Sequence, residues 1–163
     1  MEYVYIGKIV NTHGIKGEVR LLSKFKFKDR VFIPGMKIYI GKEKIEEVIN
    51  TYRPHKQFDM ITMKGYTNIN EVLKYKTQKV YINKEDLKLG SDEYLDEDLI
   101  GLNVMVDNKI VGEVIRLDVY PHQNLLVVKV EGKSCLIPYV SDIIEEVNFN
   151  EGYIAIKNIK GLI

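Results

Sequence analysis

The sequence is poor in the residues that define several protein classes. It has one cysteine, no tryptophan and four prolines among 163 residues. A single cysteine cannot form an internal disulfide, which excludes a disulfide-stabilised domain, and its position in the apolar run Cys135-Leu136-Ile137 favours a buried, reduced thiol over a catalytic one. With few prolines and 12 glycines, 45% hydrophobic residues and 29% charged residues, the composition is that of a globular protein and excludes collagen-like and disordered chains.

Long apolar runs and targeting signals are also lacking. The longest stretch without Asp, Glu, Lys or Arg is ten residues, from Val119 to Val128, about half of what a membrane-spanning helix needs. The chain starts Met1-Glu2-Tyr3, with no basic segment followed by an apolar one, so no secretion or import signal is recognised. We therefore predict a cytoplasmic protein without a membrane segment.

Charge is distributed unevenly along the chain. Residues 1–84 contain 17 Lys and Arg against 8 Asp and Glu, a net charge of +9, whereas residues 85–163 contain 7 against 15, a net charge of −8. Such a division can attract a polyanion to one half and a basic protein to the other. It can equally reflect two domains of different surface composition, or two halves that attract each other.

The strand pattern predicts a mainly β protein made of two small β-barrels in tandem. The first half combines short β-branched and aromatic runs with glycine-containing turns, and one helix that Asn68 and Glu71 could cap. We predict six strands there, at residues 3–10, 18–22, 36–40, 45–51, 58–63 and 79–82. Closing six short strands into a barrel would remove exposed sheet edges.

The second half repeats this strand pattern. Strands are predicted at residues 103–106, 110–117, 125–130, 134–138 and 153–157, and helical propensity occurs at Ser141 to Val147. The charge changes sign across a segment that contains Gly90 and Ser91. We predict a basic N-terminal barrel at 1–84, a linker at 85–92 and an acidic C-terminal barrel at 93–163.

No established catalytic, phosphate-loop or metal-binding motif is present. The histidines His13, His55 and His122 are far apart in the sequence and have no cysteine or carboxylate at ligand spacing. We predict no catalytic residues, no metal, no cofactor and no enzymatic activity. An RNA-processing enzyme that uses one of these histidines remains the alternative.

The stretch from Gly7 to Arg20 is the best candidate for contact with nucleic acid. Gly14 and Gly17 permit positive φ and leave backbone N–H groups accessible, and His13, Lys16 and Arg20 add polar donors beside them. This combination suits phosphate binding. A strand connection that needs its glycines for a tight turn explains the same residues, and the resemblance of Gly-Ile-Lys-Gly to the GXXG clamp of KH domains is weak because two strands flank it.

Two further basic segments extend this hypothesis. Lys24, Lys26 and Lys28 alternate with Phe25 and Phe27, which in strand geometry puts the lysines on one face and the phenylalanines in the core or on a stacking surface. The second segment, residues 52–56, is predicted to be a loop. The predicted RNA-binding residues are His13, Lys16, Arg20, Lys24, Arg53 and Lys56.

An acidic segment around one tyrosine is the candidate protein-binding site. Residues 91–101 contain five acids with Tyr94, a composition that suits a surface for a basic partner. The alternative is a capped helical turn whose Tyr94 and Leu99 enter the core. The predicted partner-binding residues are Asp92, Glu93, Tyr94, Leu95 and Asp96.

In the order and spacing of these motifs the sequence resembles the RimM family of bacterial ribosome maturation factors. The motifs span nearly the whole chain: Gly7-Lys8-Ile9 with His13-Gly14-Ile15-Lys16-Gly17-Glu18-Val19, Asp92-Glu93-Tyr94 with Asp98-Leu99-Ile100-Gly101, Gly112-Glu113-Val114, Ile137-Pro138-Tyr139-Val140 and Gly161-Leu162-Ile163. The resemblance implies a six-stranded barrel similar to one in translation factors, followed by a PRC barrel.

The resemblance also implies a function. Proteins of this family bind the free small ribosomal subunit, assist assembly of its head and processing of its rRNA, and contact small-subunit rRNA and ribosomal protein uS19 without a catalytic site. Two positions depart from the family pattern. Leu95 follows Tyr94 where a second tyrosine is common, and residues 121–124 read Pro-His-Gln-Asn where Gly-Ala-Asn-Asp is usual.

The sequence therefore predicts a monomeric, non-enzymatic assembly factor that bridges rRNA and uS19 on the small subunit. A PRC-barrel interaction module with a non-ribosomal partner is the second alternative, beside the RNA-processing enzyme.

Overall fold

The structure is a computed structural model that describes residues 1–163. The chain divides into two compact units, Met1–Asp92 and Glu93–Ile163. Each unit is built on six strands, so the prediction of a mainly β protein with two small β units in tandem is confirmed, although only five strands were predicted in the second unit. No helix is long and apolar enough to cross a membrane.

The first unit is a closed barrel with the strand order β1-β2-β5-β4-β3-β6. Its strands are β1 (Tyr3–His13), β2 (Glu18–Leu22), β3 (Lys37–Ile40), β4 (Ile45–His55), β5 (Phe58–Met63) and β6 (Lys79–Asn83). All neighbouring strands are antiparallel. The pairing of β2 with β5 brings the β1–β2 hairpin beside the β4–β5 hairpin, which positions the site described below.

Alternating residues fill the barrel, and bulges bend its walls. Ile9, Leu21, Ile38, Met60 and Ile82 have no more than 1% of their surface exposed, as expected for one face of each strand. The pairing register shifts once in β4 and twice in β1. Such bulges increase strand bending and twist, which helps six short strands close.

Two local predictions for the first unit are wrong. Residues 52–55 continue β4 instead of forming a loop, and only Lys56 and Gln57 make the turn. Pro54 is tolerated because it lies next to the hairpin end. Residues 24–28 leave the sheet after β2, and a short helix α1 (Lys28–Val31) follows. Phe25 and Phe27 are half-buried there, with edge-to-face rings 6.2 Å apart.

The predicted capped helix is confirmed as α2 (Ile69–Val72), which continues as a 3-10 turn (Leu73–Tyr75). The Asn68 side chain accepts a hydrogen bond from the Glu71 amide, and the Glu71 carboxylate accepts one from the Asn68 amide. Such a reciprocal box satisfies two amides that the first turn leaves free. The start of α2 supports the β1–β2 hairpin, because the Ile69 amide donates to the carbonyl of Ile15 at 2.9 Å.

The second unit is a six-stranded sheet with the order β10-β9-β8-β7-β12-β11. Its strands are β7 (Asn103–Val106), β8 (Lys109–Val119), β9 (Asn124–Val130), β10 (Lys133–Pro138), β11 (Ile144–Asn148) and β12 (Tyr153–Ile156). The pair β7–β12 is parallel and the others are antiparallel. Side chains from all six strands meet in one core cluster, so the sheet curls around it.

The helix expected at Ser141 to Val147 is not formed. Residues 144–148 are strand β11, paired with β12 from Ile144 opposite Ile156 to Asn148 opposite Tyr153. Ile144 and Val147 pack against the core of the unit. Pairing and packing outweigh the helical propensity of the two glutamates between them.

Residues between the two sheets are partly ordered by the first unit. A 3-10 turn (Lys84–Leu87) follows β6, and the Leu87 side chain is only 2% exposed. The boundary between the compact units falls after Asp92. A second 3-10 turn (Asp96–Leu99) opens the second unit.

Candidate nucleic-acid interface and acidic segment

The β1–β2 and β4–β5 hairpins of the first barrel lie side by side. The tip of the β1–β2 hairpin is residues 14–17, and the tip of the β4–β5 hairpin is residues 56–57. Strand β2 pairs directly with β5, with Arg20 opposite Met60. Five of the six predicted RNA-binding residues, all except Lys24, lie on these two hairpins. We call the surface formed by His13, Lys16, Glu18, Arg20, Arg53, His55 and Lys56 the hairpin-tip surface.

Gly17 determines the path of the first tip. Its φ is +91°, a region that residues with a side chain rarely adopt. A Cβ atom there would also lie 3.2 Å from the carbonyl oxygen of Asn68, at the start of α2. Gly17 therefore allows the tip to turn tightly while it rests against the helix, with Lys16 exposed.

Arg20 is oriented by two rings. Its Nε and Nη2 lie 3.2 and 2.7 Å from Nδ1 of His13, and its guanidinium lies 5.5 Å from the ring centroid of Phe58. Because a guanidinium can only donate, Nδ1 of His13 is the acceptor in this arrangement. The contact uses part of the guanidinium fork, and its remaining N–H groups can bind a phosphate.

Arg53 is held by a carboxylate. Its Nε donates to Oε2 of Glu18 at 2.8 Å and its Nη2 donates to Oε1 at 2.7 Å, a bidentate pair between β4 and β2. The hydrogen bond from Arg53 lowers the pKa of Glu18, and the same bond raises the pKa of Arg53. Glu18 thus fixes Arg53 in place and neutralises much of its charge.

His55 completes the surface. Its ring centroid lies 5.8 Å from that of His13. Burial lowers the pKa of His55, and the positive charges of Arg53 and Lys56 lower it further. The imidazole is therefore neutral at pH 7 and serves as a hydrogen-bonding group in a positive surrounding.

Three of the predicted RNA-binding residues are lysines: Lys16, Lys24 and Lys56. Lys16 and Lys56 are exposed on the two tips, and Lys56 has a φ of +56° in its turn. Lys24 is exposed too, but it follows the opposite end of β2. The contacts of this surface join His13, Arg20 and Arg53 with Glu18 and His55, and the charge of Lys56 acts on His55; Lys16 and Lys24 take part in none of these contacts.

The sequence alone did not identify Glu18 and His55 as members of this surface, or Phe58 as the ring beside Arg20. Glu18 and Arg53 are 35 residues apart, and only the β2–β5 pairing makes them neighbours. The one sequence signal that could have indicated these residues was their position at strand ends. Glu18 is the first residue of β2, and His55 and Phe58 flank the β4–β5 turn. Nowhere in the chain do three or more His, Cys, Asp or Glu side chains group as metal ligands would.

In the second unit, Tyr94 is half-buried against the core. Its hydroxyl bonds the hydroxyl of Tyr139, and its ring centroid lies 5.2 Å from that of Phe149. Burial raises the pKa of Tyr94, with a smaller contribution from the charge of Asp96. The ring is rigidly supported, a property of side chains that anchor interfaces.

The residues around Tyr94 differ in exposure. Asp92 and Asp96 are exposed and Glu93 is partly exposed, whereas Leu95 is only 4% exposed and points its side chain away from solvent. The Leu95 amide donates to Oδ2 of Asp98 at 2.9 Å, which caps the 3-10 turn, and Leu99 enters the core. The segment therefore has features of both sequence interpretations. It is a capped turn packed on the core, and its acidic side chains face outward.

Comparison with known proteins identifies the family. The family model described as the RimM N-terminal domain matches residues 4–87, and the one described as the RimM PRC barrel domain matches residues 96–162. The chain belongs to the RimM family.

Individual RimM proteins match over nearly full length. A ribosome maturation factor RimM of Staphylococcus haemolyticus is 39% identical over 165 residues, covering 98% of both chains, and one of an Exiguobacterium species is 37% identical over 168 residues, covering 100% of this chain and 98% of its own. Among solved structures, the N-terminal domain of RimM from Thermus thermophilus covers 53% of this chain at 17% identity, with a TM-score of 0.47. A RimM crystal structure from Pseudomonas aeruginosa covers 97% at 21% identity, with a TM-score of 0.45.

Proposed function

We propose that this RimM-family protein is a non-enzymatic ribosome maturation factor that binds the free small ribosomal subunit and assists assembly of its head and processing of its rRNA. The first unit contacts small-subunit rRNA, and the second contacts ribosomal protein uS19. The observation that carries the proposal is the hairpin-tip surface, where Arg20 and Arg53 lie with His13 and His55 on two adjacent hairpins of the barrel, in the half of net charge +9.

The hairpin-tip surface suits a phosphate backbone better than a base edge. Arg20 can bind one phosphate with two parallel bonds, and the two tip lysines add mobile point charges. The imidazoles of His13 and His55 add further hydrogen-bonding nitrogens beside them. Contacts of this kind position a protein on RNA without reading its sequence.

The acidic segment suits a basic ribosomal protein. Tyr94 offers an aromatic ring with firm support from Tyr139 and Phe149, and Asp92, Glu93 and Asp96 provide negative charge around it. Aromatic anchors surrounded by complementary charge are common in specific interfaces. Leu95 is buried, so in this proposal it stabilises the segment and does not contact the partner.

One chain that binds both components raises the effective concentration of each near the other. This would favour their correct juxtaposition during head assembly without a chemical step. The protein would act as a monomer in the cytoplasm, where small subunits assemble.

The salt dependence of binding to immature small subunits tests the RNA half of this proposal. If about four phosphates are neutralised, the logarithm of the affinity falls with the logarithm of the salt concentration at a slope of roughly −3 to −4. The double variant Lys16→Ala, Arg20→Ala should reduce the slope by up to about two. The control Lys64→Ala, Lys76→Ala removes two exposed lysines outside the tips and should change it less. A wild-type slope near zero contradicts the proposal.

Two other functions give different results in the same preparation. An RNA-processing enzyme would convert precursor RNA by itself and lose that activity on replacement of His13, His55 or His122. An interaction module with a non-ribosomal partner would co-purify with that partner and not with small subunits. We expect no turnover by the purified protein, and co-purification with small subunits.

A further inference from the structure

Four tyrosines lie together in the wall of the first barrel: Tyr3 and Tyr5 at the start of β1, Tyr81 in β6 and Tyr39, only 5% exposed, in β3. Tyr5 is paired directly with Tyr81, and Tyr81 is paired directly with Tyr39, so three rings form a row across β1, β6 and β3. Tyr3 adds its ring at 5.2 Å from Tyr39 and 6.5 Å from Tyr81. Tyr3 and Tyr5 are 40% and 46% exposed, which is unusual for adjacent aromatics.

Lysines adjoin this row. Lys8 lies directly opposite Lys79, two residues along β6 from Tyr81 and therefore on the same face. The Nζ of Lys79 is 5.9 Å from the ring centroid of Tyr5, and the Nζ of Lys44 is 4.1 Å from that of Tyr81. We call Tyr3, Tyr5, Tyr81, Lys8, Lys44 and Lys79 the tyrosine–lysine face.

Lys8 and Lys79 place two positive charges directly opposite each other on neighbouring strands. Like charges directly opposite each other on neighbouring strands are destabilising. Neither Lys8 nor Lys79 forms a salt bridge, and the recorded contact of Lys79 is with a ring. A sequence that breaks a local rule of this kind commonly does so at a functional position.

We propose that the tyrosine–lysine face binds unpaired RNA, with bases stacked on the rings of Tyr5 and Tyr81 and the backbone phosphates bound by Lys8 and Lys79. Aromatic rings beside cations are the general means by which proteins bind single strands, because every base has a stacking face. Lys44 covers the ring of Tyr81 in the free protein and moves to a phosphate when a base takes its place. This inference rests on the proposed function, because it takes RNA as the ligand. The residues that it uses are separate from those of the hairpin-tip surface.

Carboxylates limit the face on one side. Glu46 is paired directly with Tyr39, and burial together with the charges of Glu46 and Asp86 raises the pKa of Tyr39. A polyanion is therefore repelled from the Tyr39 edge. The RNA strand runs along Tyr5 and Tyr81 toward Lys8 and Lys79, which lie further along the same two strands.

Binding of fluorescently labelled RNA by the full-length protein tests this inference. The probes are a single-stranded RNA of about ten nucleotides and a duplex of the same sequence. Loss of one stacked base weakens binding about 5- to 150-fold, so Tyr5→Leu with Tyr81→Leu should weaken single-strand binding at least about 5-fold and duplex binding much less. Lys8→Gln with Lys79→Gln should reduce the salt slope for the single strand by about one.

Matched controls separate this inference from the proposed function. Tyr120→Leu removes an exposed tyrosine of the second unit, and Lys64→Gln removes an exposed lysine outside the face; neither should alter single-strand binding. If the hairpin-tip variant Lys16→Ala, Arg20→Ala weakens RNA binding and the tyrosine variant does not, the proposed function stands and this inference is overturned. If the tyrosine variant loses affinity for a ribosomal protein but not for RNA, the face binds protein and the inference is also overturned.

A measurement on the wild-type protein tests the inference even if the variants fold poorly. Ultraviolet cross-linking of the wild type to the single strand, followed by mass spectrometry, should place cross-links in the peptides that contain Tyr5 and Tyr81. Cross-links confined to residues 13–20 and 53–58 would overturn the inference while supporting the hairpin-tip surface.

Discussion

Arg53 and Glu18 form a bidentate ion pair across two strands, with N–O distances of 2.8 and 2.7 Å. The pair places an arginine at the edge of the hairpin-tip surface and at the same time cancels its charge. Within that surface, therefore, Glu18 opposes RNA binding although it orders one of the arginines that would bind.

Replacement of Glu18 should consequently strengthen RNA binding. Glu18→Gln keeps an oxygen that can accept from Arg53 but removes the negative charge, so affinity for immature small subunits should rise and the salt slope should steepen by up to about one. The stability cost should be small, because the Arg53 side chain is 50% exposed and ion pairs that reach solvent contribute little to stability. Asp29→Asn, which removes an exposed acid outside this surface, is the control. Equal or weaker binding by a folded Glu18→Gln protein would show that Arg53 does not meet phosphate.

The stability of the first unit should depend on pH through His55. Burial and the neighbouring cations lower the pKa of His55 below its ordinary value of 6.5. As the pH falls through 6.5, the unfolded chain binds a proton before the folded one, so the free energy of unfolding decreases until the pH is below the lowered pKa. His55→Gln should flatten this decrease. Denaturant unfolding between pH 8 and pH 5 measures it, with pH 8 as the baseline, and identical pH dependence in both proteins would contradict the assignment.

Tyr94 should act as an anchor for the protein partner. Tyr94→Ala is expected to weaken binding of the basic ribosomal protein by about 1 to 3 kcal/mol, whereas Tyr94→Phe keeps the ring against Phe149 and should cost at most about 1.5 kcal/mol. Calorimetry measures both, and Tyr120→Ala is an exposed control in the same unit. Because Tyr94 also supports the core, Asp92→Asn with Asp96→Asn provides a variant that leaves packing intact. Undiminished affinity in all of them would remove the acidic segment as a binding site.

Gly17 should be harder to replace than Gly14. Both have positive φ, +91° and +69°, so an alanine is strained at either position. Only at Gly17 would the new Cβ also press on the backbone of Asn68. We expect Gly17→Ala to destabilise the protein by more than 1 kcal/mol, on the order of the usual backbone penalty plus a clash, and Gly14→Ala by less. Thermal unfolding of the two variants provides the comparison, and equal losses would contradict it.

The sequence predicted those strands whose ends carry a turn signal. The bounds of β2, β5 and β7 agree with the prediction because glycines or turn residues flank them. Where local and tertiary preferences conflict, the prediction failed. The helix expected at Ser141 to Val147 became β11 because its apolar residues reach the core only from a strand.

The candidate site was predictable in composition but not in geometry. The sequence identified His13, Lys16 and Arg20 through a glycine-bounded loop, but their junction with Arg53 and Lys56 follows from the β2–β5 pairing, which no local pattern reports. The strand prediction for residues 24–28 failed because Lys28 leaves the sheet to pair with buried Asp59 at 2.8 Å.

The tyrosine–lysine face shows the same limitation. Alternation of Tyr3 and Tyr5 in a strand is visible in the sequence, and so is Tyr81. What brings them together is the closure of the barrel through the pairs β1–β6 and β3–β6.

Cross-linking mass spectrometry of the full-length protein bound to immature small subunits tests the central claim most directly. RNA cross-links should occur in the first unit, at residues 13–20 and 53–58, and protein cross-links in the second unit, from residues 92–96 to a basic ribosomal protein of the head. RNA cross-links to the acidic segment, or a hairpin-tip surface that cross-links only to protein, would contradict this division of roles.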